Sequence, residues 1–320
     1  MVVDSNKGLA QWLLGMVIAT TFCLAYLLVP VYLLVATASF LLIGNQSSFL
    51  FALPMLLSMS TKPRASDMAL RLCRPMLNYF DYEEIFMDET IRTKSSSSSS
   101  SCSNNQNKQY IFAAQPHGVL SFVGMCSAAL HPEDTIRVPT AAASIVLKTP
   151  LLKHVMGIFN LIDASATSLK RHFKNGGSVV IYIGGIAELF KTSRTEERLY
   201  LRNRKGFIKL ALTEGVDIVP VYLFGNSSVL SVLTQGPLVA LSRKVQASLT
   251  IFWGKFCLPI PRDEKLLYVV GKPMGLPHIL NPTQDDIDKW HEKYCIEVRK
   301  IYEAYQEKLP MYKHKKLFID

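Results

Sequence analysis

The sequence predicts a layered α/β domain that follows an N-terminal apolar segment long enough for a membrane hairpin. No charged residue lies between Lys7 and Lys62. From Tyr110 onward, short apolar runs bounded by glycine alternate with helical patterns, which is typical of a layered domain with an at least partly parallel sheet. Of the 320 residues, 49% are hydrophobic and 19% are charged. This composition is too apolar for an ordinary cytosolic domain and too charged for a transmembrane bundle.

The apolar segment can hold two membrane crossings, because one helix needs about 20 apolar residues to cross the hydrocarbon core. We expect Pro30 to divide it into Leu9–Leu28 and Val31–Ile43, with a polar break at 44–48 before the shorter piece Phe49–Met59. A signal peptide has a much shorter apolar region, and a buried core helix does not explain so long an uncharged interval. Four cations after the segment place that side in the cytosol by the positive-inside rule: Lys62, Arg64, Arg71 and Arg74.

The chain therefore divides into four parts. Residues 94–108 include seven consecutive serines followed by asparagine and glutamine, a composition that cannot bury apolar surface and indicates a linker. The predicted parts are a short cytosolic N-terminus at 1–8, a transmembrane hairpin at 9–61, a connecting segment at 62–109 that contains this linker, and an α/β domain at 110–320.

Strands and helices alternate within the α/β domain. A helical pattern over Gly206–Thr213 is closed by Gly215, and Thr283 with Asp286 forms a capping-box pattern before a long C-terminal helix. The side chains predicted to pack that helix on the domain are Ile287, Trp290, Tyr294, Val298, Ile301 and Tyr305. The predicted strands are Tyr110–Ala114, Val179–Ile183, Ile218–Phe224, Leu249–Trp253 and Leu266–Val270.

Charge and cysteine usage narrow the classes of partner. The formal net charge of +10 favours anionic partners, which could be nucleic acid, lipid headgroups or cofactor phosphates. The basic residues are dispersed and no nucleic-acid-binding motif is present, so nucleic acid is the least favoured of these. Six cysteines are scattered without CxxC spacing, which predicts reduced thiols and no bound metal.

His117 is the first candidate for chemistry. It follows the first predicted strand of the α/β domain and precedes Gly118, a place where α/β folds bind ligands. Its imidazole could act as a general base. The helix predicted over Val119–Leu130 would begin beside it and offer free backbone N–H groups to an oxyanion. Without further signals, a single histidine in apolar surroundings is more often structural.

Two further segments could bind substrate. Gly184 and Gly185 end the second predicted strand and allow close backbone approach to a ligand, with Glu188 at the same edge. A turn just before a predicted helix carries three cations that could hold phosphates. The residues of this turn that are candidates for substrate binding are Arg202, Asn203, Arg204, Lys205 and Gly206. An ordinary strand-ending turn and a solvated charged turn are the structural alternatives. No GxSxG, HExxH, Walker or GxGxxG motif supports a hydrolase or a nucleotide-binding site.

Read in order, six segments resemble the type-2 diacylglycerol acyltransferase family, which includes monoacylglycerol and wax-alcohol acyltransferases. Gln115–Gly118 (QPHG) takes the place of the family's HPHG, Gly184–Glu188 (GGIAE) resembles its GGxxE, and Leu201–Gly225 is the most specific match. The resemblance covers about Tyr110 to Leu309. The remaining matches are Trp253–Lys255 with Leu258–Pro261, Val269–Pro273, and Asn281–Gln284 with Ile287–Asp288.

The resemblance implies a domain like that of glycerol-phosphate acyltransferases and the transfer of a fatty acyl group from acyl-CoA to diacylglycerol. His117 would be the general base, and Glu188 would orient either His117 or a substrate group. Substrate binding would fall to Gln115, Pro116 and Gly118 together with the two glycine and cationic segments. The resemblance also implies membrane lipids as partners, no cofactor beyond the co-substrate acyl-CoA, and a multi-pass protein of the endoplasmic reticulum or lipid droplet with a cytosolic catalytic domain.

The sequence departs from related patterns at two positions. Gln115 replaces the first histidine of HPHG, and glutamine cannot accept a proton at neutral pH, so the base is assigned to His117. A related acyltransferase superfamily carries an aspartate five residues after its histidine, where this chain has Phe122. Monoacylglycerol or a fatty alcohol as the acceptor, a non-catalytic lipid-binding protein, and assembly into a homo-oligomer all stay open.

Overall fold

The structure of the chain, a computed structural model, describes residues 5–91, 108–190, 195–236 and 250–320. Its strands are β1 (Glu83–Phe86), β2 (Tyr110–Gln115), β3 (Thr140–Ala142), β4 (Leu161–Asp163), β5 (Val179–Tyr182), β6 (Glu196–Leu199), β7 (Asp217–Phe224), β8 (Ser231–Val232), β9 (Phe252–Trp253), β10 (Leu267–Val270) and β11 (Lys316–Ile319). Its α-helices are α1 (Ser5–Leu42), α2 (Gln46–Ser60), α3 (Asp67–Leu72), α4 (Pro75–Tyr79), α5 (Phe122–Leu130), α6 (Pro132–Arg137), α7 (Ser144–Lys148), α8 (Leu152–Gly157), α9 (Ala166–Lys174), α10 (Gly185–Leu189), α11 (Gly206–Glu214), α12 (Asn226–Val229) and α13 (Gln284–Tyr305).

A seven-stranded sheet in the order β1-β10-β7-β2-β5-β3-β4 forms the centre of the domain. Neighbouring strands are parallel except for β10 and β7, which are antiparallel. The predicted α/β class is thereby confirmed. The sheet is covered on both faces, as the continuous apolar runs of β2 and β7 require.

The sheet begins earlier in the chain than Tyr110, where the sequence places the start of the domain. β1 lies within residues 62–109 and pairs in parallel with β10. An edge strand of four residues that starts with two glutamates lacks the apolar run of a buried strand, so its pattern is weak. The predicted linker at 94–108 lies, except for its last residue, outside the described residues. Of the predicted strand Leu249–Trp253, the structure describes β9 and not Leu249.

Helix α1 runs without interruption through Pro30 and is 38 residues long. The expected division at Pro30 is therefore wrong, although proline removes a backbone hydrogen bond from the helix. The chain turns instead at Gly44, whose φ of +65° suits glycine, and Asn45 caps α2 by accepting from the Ser48 N–H. The turn signal was thus the polar break and not the proline. The stretch Gly8–Leu42 is long and apolar enough to cross a membrane.

The two halves of α1 have different partners. Its first half packs on the domain through Trp12 against Tyr79 and through Phe22 against Phe159. Its second half packs on α2, where the Tyr32 hydroxyl donates to the Phe51 carbonyl at 2.6 Å. The outer face of this second half and of α2 remains apolar and exposed.

Candidate active site

His117 lies just past the carboxyl end of β2, and its backbone is held on both sides. Its N–H donates to Glu188 Oε1 at 2.7 Å, and its carbonyl accepts from the side-chain amide of Asn226. Its Nδ1 lies 2.8 Å from the Gly118 carbonyl. Because a carbonyl only accepts, neutral His117 carries its proton on Nδ1, and Nε2 keeps a free lone pair.

The surroundings of His117 favour the neutral imidazole. Burial lowers the pKa of His117 below 6.5, and the hydrogen bond to Gly118 offsets this only in part. The edge of the Tyr182 ring lies against the imidazole, with ring centroids 4.7 Å apart. At neutral pH the side chain can therefore accept a proton.

His117 opens into a cavity of about 440 Å³, here called the histidine cavity. Its wall is mostly apolar and includes Tyr26, Leu120, Ala142, Met156 and Tyr182, so it is suited to an apolar ligand of moderate size. Gly185 lies on the same wall, which brings the second predicted segment to the same space as His117.

Asn226 is a site residue that the sequence analysis missed. Only 2% of it is exposed; its amide nitrogen donates to the carbonyls of Pro116 and His117, and its Oδ1 accepts from the Val123 N–H. It therefore ties the loop of His117 to the start of α5. Gly118 (φ +63°) leaves no room for a side chain, because a Cβ there would lie 2.8 Å from Asn226.

Replacing Asn226 with Asp should destabilise the fold by about 1–3 kcal/mol, because a carboxylate oxygen would face two buried carbonyls without a proton to donate. Urea or thermal unfolding of the purified protein measures the difference. Asn203→Asp is the matched control, since Asn203 is exposed, and we expect almost no change. Equal losses in both variants would contradict the role of Asn226.

The first turn of α5 does not supply the free N–H groups expected there. The helix begins at Phe122 and not at Val119, with Ser121 as its cap. The N–H of Val123 donates to Asn226, and that of Gly124 donates to the Ser121 hydroxyl at 3.3 Å. The expectation of an oxyanion site at this terminus is wrong, because internal acceptors already occupy its donors.

Glu188 contacts the backbone of the site and not the imidazole ring. It is 2% exposed, and its second oxygen accepts from the Tyr200 N–H at 3.3 Å. Burial raises the pKa of Glu188 to about 7, although the two backbone donors lower it. Its described contacts are those of a residue that positions the His117 loop.

The raised pKa of Glu188 predicts a pH-dependent stability. Between about pH 4.5 and 7 the folded state binds a proton that the unfolded state has lost, so stability falls as pH rises and levels off above pH 7. We expect the melting temperature of the wild type, relative to Glu188→Gln, to fall across this interval. A rise with pH would show that the two N–H donors outweigh burial.

Gln115 lies on the opposite face of the sheet from the histidine cavity. It is fully buried, pairs in register with Tyr222, and has the Tyr294 hydroxyl nearby. Neither atom of its amide makes a hydrogen bond to a residue that the structure describes. Gln115 is not among the residues that line the histidine cavity.

The cationic turn lies next to the glycine segment. Arg204 Nη2 is 3.5 Å from the Gly184 carbonyl, and Lys205 pairs with Asp288 at 2.8 Å. Arg202 and Asn203 are exposed, and Gly206 begins α11. The structure thus brings Arg204 close to the glycines beside the histidine cavity, while Lys205 is held by α13.

Comparison with known proteins gives three findings. The family model of diacylglycerol acyltransferase matches residues 97–320. Diacylglycerol O-acyltransferase 2 of Dictyostelium discoideum is 28% identical over 221 residues, covering 62% of this chain and 66% of that protein. 2-acylglycerol O-acyltransferase 1 of Homo sapiens is 29% identical over 234 residues, covering 66% of this chain and 69% of that protein.

Among solved structures, the 1-acyl-sn-glycerophosphate acyltransferase PlsC from Thermotoga maritima aligns with a TM-score of 0.40 at 12% identity, covering 87% of this chain and 96% of that one. The matches to the diacylglycerol relatives span 58–66% of the length of those proteins. The family model covers well over half of the present chain, including His117, Glu188, Arg204 and Asn226. The chain therefore belongs to the diacylglycerol acyltransferase family.

Proposed function

We propose that this chain is an acyl-CoA:diacylglycerol O-acyltransferase that makes triacylglycerol. The observation that carries the proposal is the position of His117, which lines an apolar cavity of about 440 Å³ and whose Nε2 has no hydrogen-bond partner among the residues that the structure describes. Membership of the family and relatives that bear this activity in their names support the same reaction.

In the proposed reaction, His117 Nε2 takes the proton of the acceptor hydroxyl as that oxygen attacks the thioester carbonyl of acyl-CoA. The new C–O ester bond forms and the C–S bond breaks. Coenzyme A leaves as a thiolate and receives the proton from the imidazolium, which restores the base. Glu188 and Asn226 hold the backbone of His117 during these steps. The reaction requires no covalent acyl-enzyme.

The donor's phosphates would bind at the cationic turn. Arg204 lies beside Gly184, and Arg202 with Asn203 is exposed on the same turn. Guanidinium groups bind phosphate oxygens in pairs of hydrogen bonds, and this turn is close to the histidine cavity. Lys205 contributes less, because Asp288 already neutralises it.

Monoacylglycerol is the second candidate acceptor, because the relative from Homo sapiens is named as a 2-acylglycerol acyltransferase. Purified protein in detergent, with labelled oleoyl-CoA and diacylglycerol, monoacylglycerol or a fatty alcohol in turn, distinguishes the acceptors by kcat/KM. We expect diacylglycerol to give the highest value. A higher value for either other acceptor would reassign the substrate.

The helical pair of α1 and α2 is the proposed membrane anchor, on the endoplasmic reticulum or lipid droplets, with the α/β domain in the cytosol. Its outer surface is apolar, with Leu34 and Leu41 more than 70% exposed. The part of α1 beyond Leu28, residues 29–42, is roughly 21 Å long, shorter than the hydrocarbon core of about 30 Å, so the pair would enter and return on one side. Release of the protein by alkaline carbonate, without detergent, would contradict this anchoring.

A further inference from the structure

A second cavity of about 520 Å³ adjoins the histidine cavity. The two share five wall residues on β5, β10, α5 and α6 and between α6 and β3: Ser127, Thr135, Val138, Val180 and Tyr268. Only these shared side chains therefore separate a ligand in the second cavity from the space that His117 lines. Residues that line only the second cavity include Phe86, Phe112 and Val270, which make its floor apolar.

The charges around the second cavity are balanced. His131 on its wall pairs with Glu84 at 2.7 Å, and Glu133 on its rim pairs with Arg71 at 2.6 Å. The rim also carries Asp134 and Arg137. Because these cations are matched by carboxylates, the rim offers no excess positive charge to the phosphates of coenzyme A, whereas an uncharged lipid needs none.

The cations suited to acyl-CoA lie on the other side of the site. Gly185 lines the histidine cavity and not the second cavity. The Arg204 guanidinium is 3.5 Å from the carbonyl of the adjacent Gly184. A donor held there by its phosphates would place its acyl chain in the histidine cavity. The second cavity is then left for a substrate that has no phosphate.

Tyr268 stands on the wall between the two cavities. It is partly buried, and its hydroxyl makes no hydrogen bond to any residue within the described ranges. A phenol in this position can donate to a carbonyl oxygen or accept from a hydroxyl. An ester or hydroxyl oxygen of a ligand that spans the wall would satisfy it.

Apolar surface lies beside the mouth of the second cavity. Helix α3, whose Arg71 pairs with the rim residue Glu133, exposes Met68 by 73% and Leu72 by 66%. Ile136 on α6 is 44% exposed. Exposed apolar clusters of this kind mark surfaces that meet lipid or another protein.

We infer that the second cavity binds the uncharged lipid acceptor and that Tyr268 contacts the polar head of that acceptor at the wall shared with the histidine cavity. This assignment rests on the proposed function, because it presumes that an acyl donor occupies the histidine cavity. It gives the acceptor a site of its own, built from β1, β10, α5 and α6.

The binding site can be mapped without turnover. A diacylglycerol with a diazirine on one acyl chain is photo-crosslinked to the full-length protein in detergent, and labelled peptides are identified by mass spectrometry. We expect label on peptides that contain Phe86, Phe112 or Val270. Label confined to peptides with Ala142 or Met156, or no label, would overturn the assignment. The map is readable even if no acceptor is acylated, an outcome that would refute the proposed function alone.

A second test uses matched variants in which a larger side chain narrows one of the two cavities. Val270→Phe narrows the second cavity and should raise the KM for diacylglycerol roughly tenfold or more, with the KM for oleoyl-CoA unchanged. Ala142→Leu narrows the histidine cavity and should change acyl-CoA preference instead. Val270→Ala, which carries no risk of overpacking, should favour bulkier acceptors. A shift of acyl-CoA chain-length preference in the Val270 variants would show that the donor occupies this cavity and would overturn the inference.

Discussion

Replacing His117 with Ala is expected to reduce acyl transfer by a factor of about 10² to 10⁴, the usual contribution of a general base. The variant removes Nε2, the atom that would take the acceptor proton, and leaves the backbone hydrogen bonds to Glu188 and Asn226 in place. The fold and the binding of acyl-CoA should therefore change little. The loss should appear in kcat and not in the KM of either substrate.

His278→Ala is the matched control for this experiment. His278 is an exposed histidine whose ring nitrogen lies 3.1 Å from the Thr213 carbonyl, and it is not among the residues that line the histidine cavity. The His278→Ala variant should keep full acyltransferase activity. If His117→Ala retained half of the wild-type rate while folding normally, another group would be the base. Retained lipid binding with no acyl transfer in the wild type would instead indicate a non-catalytic lipid-binding protein.

Replacing Lys315 with Met is expected to destabilise the fold by about 3–5 kcal/mol, because it leaves a buried carboxylate without its cation. Lys315 Nζ lies 3.4 Å from Glu197, and both side chains are at most 2% exposed. The ammonium also donates to the Ser228 hydroxyl at 2.9 Å. This pair joins β6 and the segment before β11 to α12, which begins with Asn226. Its loss should therefore loosen the His117 loop as well.

Two further variants isolate the cause of this effect. The double variant Lys315→Met with Glu197→Met should recover most of the lost stability, because it removes both buried charges. Lys300→Met breaks an exposed pair with Glu297 and should cost less than about 1 kcal/mol. Chemical unfolding of all three proteins in detergent measures these differences. A double variant as unstable as Lys315→Met would show that packing, and not the unpaired charge, is responsible.

Periodic patterns predicted the regular elements well. The central strands β2, β5 and β7 lie within one residue of their predicted bounds, and α13 begins with the predicted capping box of Thr283 and Asp286. Helix α11 ends at Glu214 and is capped by the predicted Gly215, whose φ is +67°. These elements have local signals, either continuous apolar runs or turn and cap residues, so a single sequence specifies them.

Long-range contacts were not predictable in the same way. Asn226 is 109 residues from His117 in the chain, and only the parallel pairing of β2 and β7 brings the two loops together. The position just after β7 and Gly225, at the carboxyl edge of the sheet, was the one available signal. The buried pair of Lys315 and Glu197 is 118 residues apart and has no local pattern at all. The sequence also could not show that the first N–H groups of α5 are already bonded.

The proposed reaction is the esterification of diacylglycerol by acyl-CoA with His117 as the base. In the most direct measurement, the purified wild-type protein and the His117→Ala variant are each incubated with labelled oleoyl-CoA and diacylglycerol. The free thiol and the labelled triacylglycerol that form are quantified in the same reaction. We predict one thiol released per ester formed by the wild type, and a rate at least about 100-fold lower for the variant. Absence of labelled triacylglycerol from the folded wild type, or equal rates in the two proteins, would contradict this assignment.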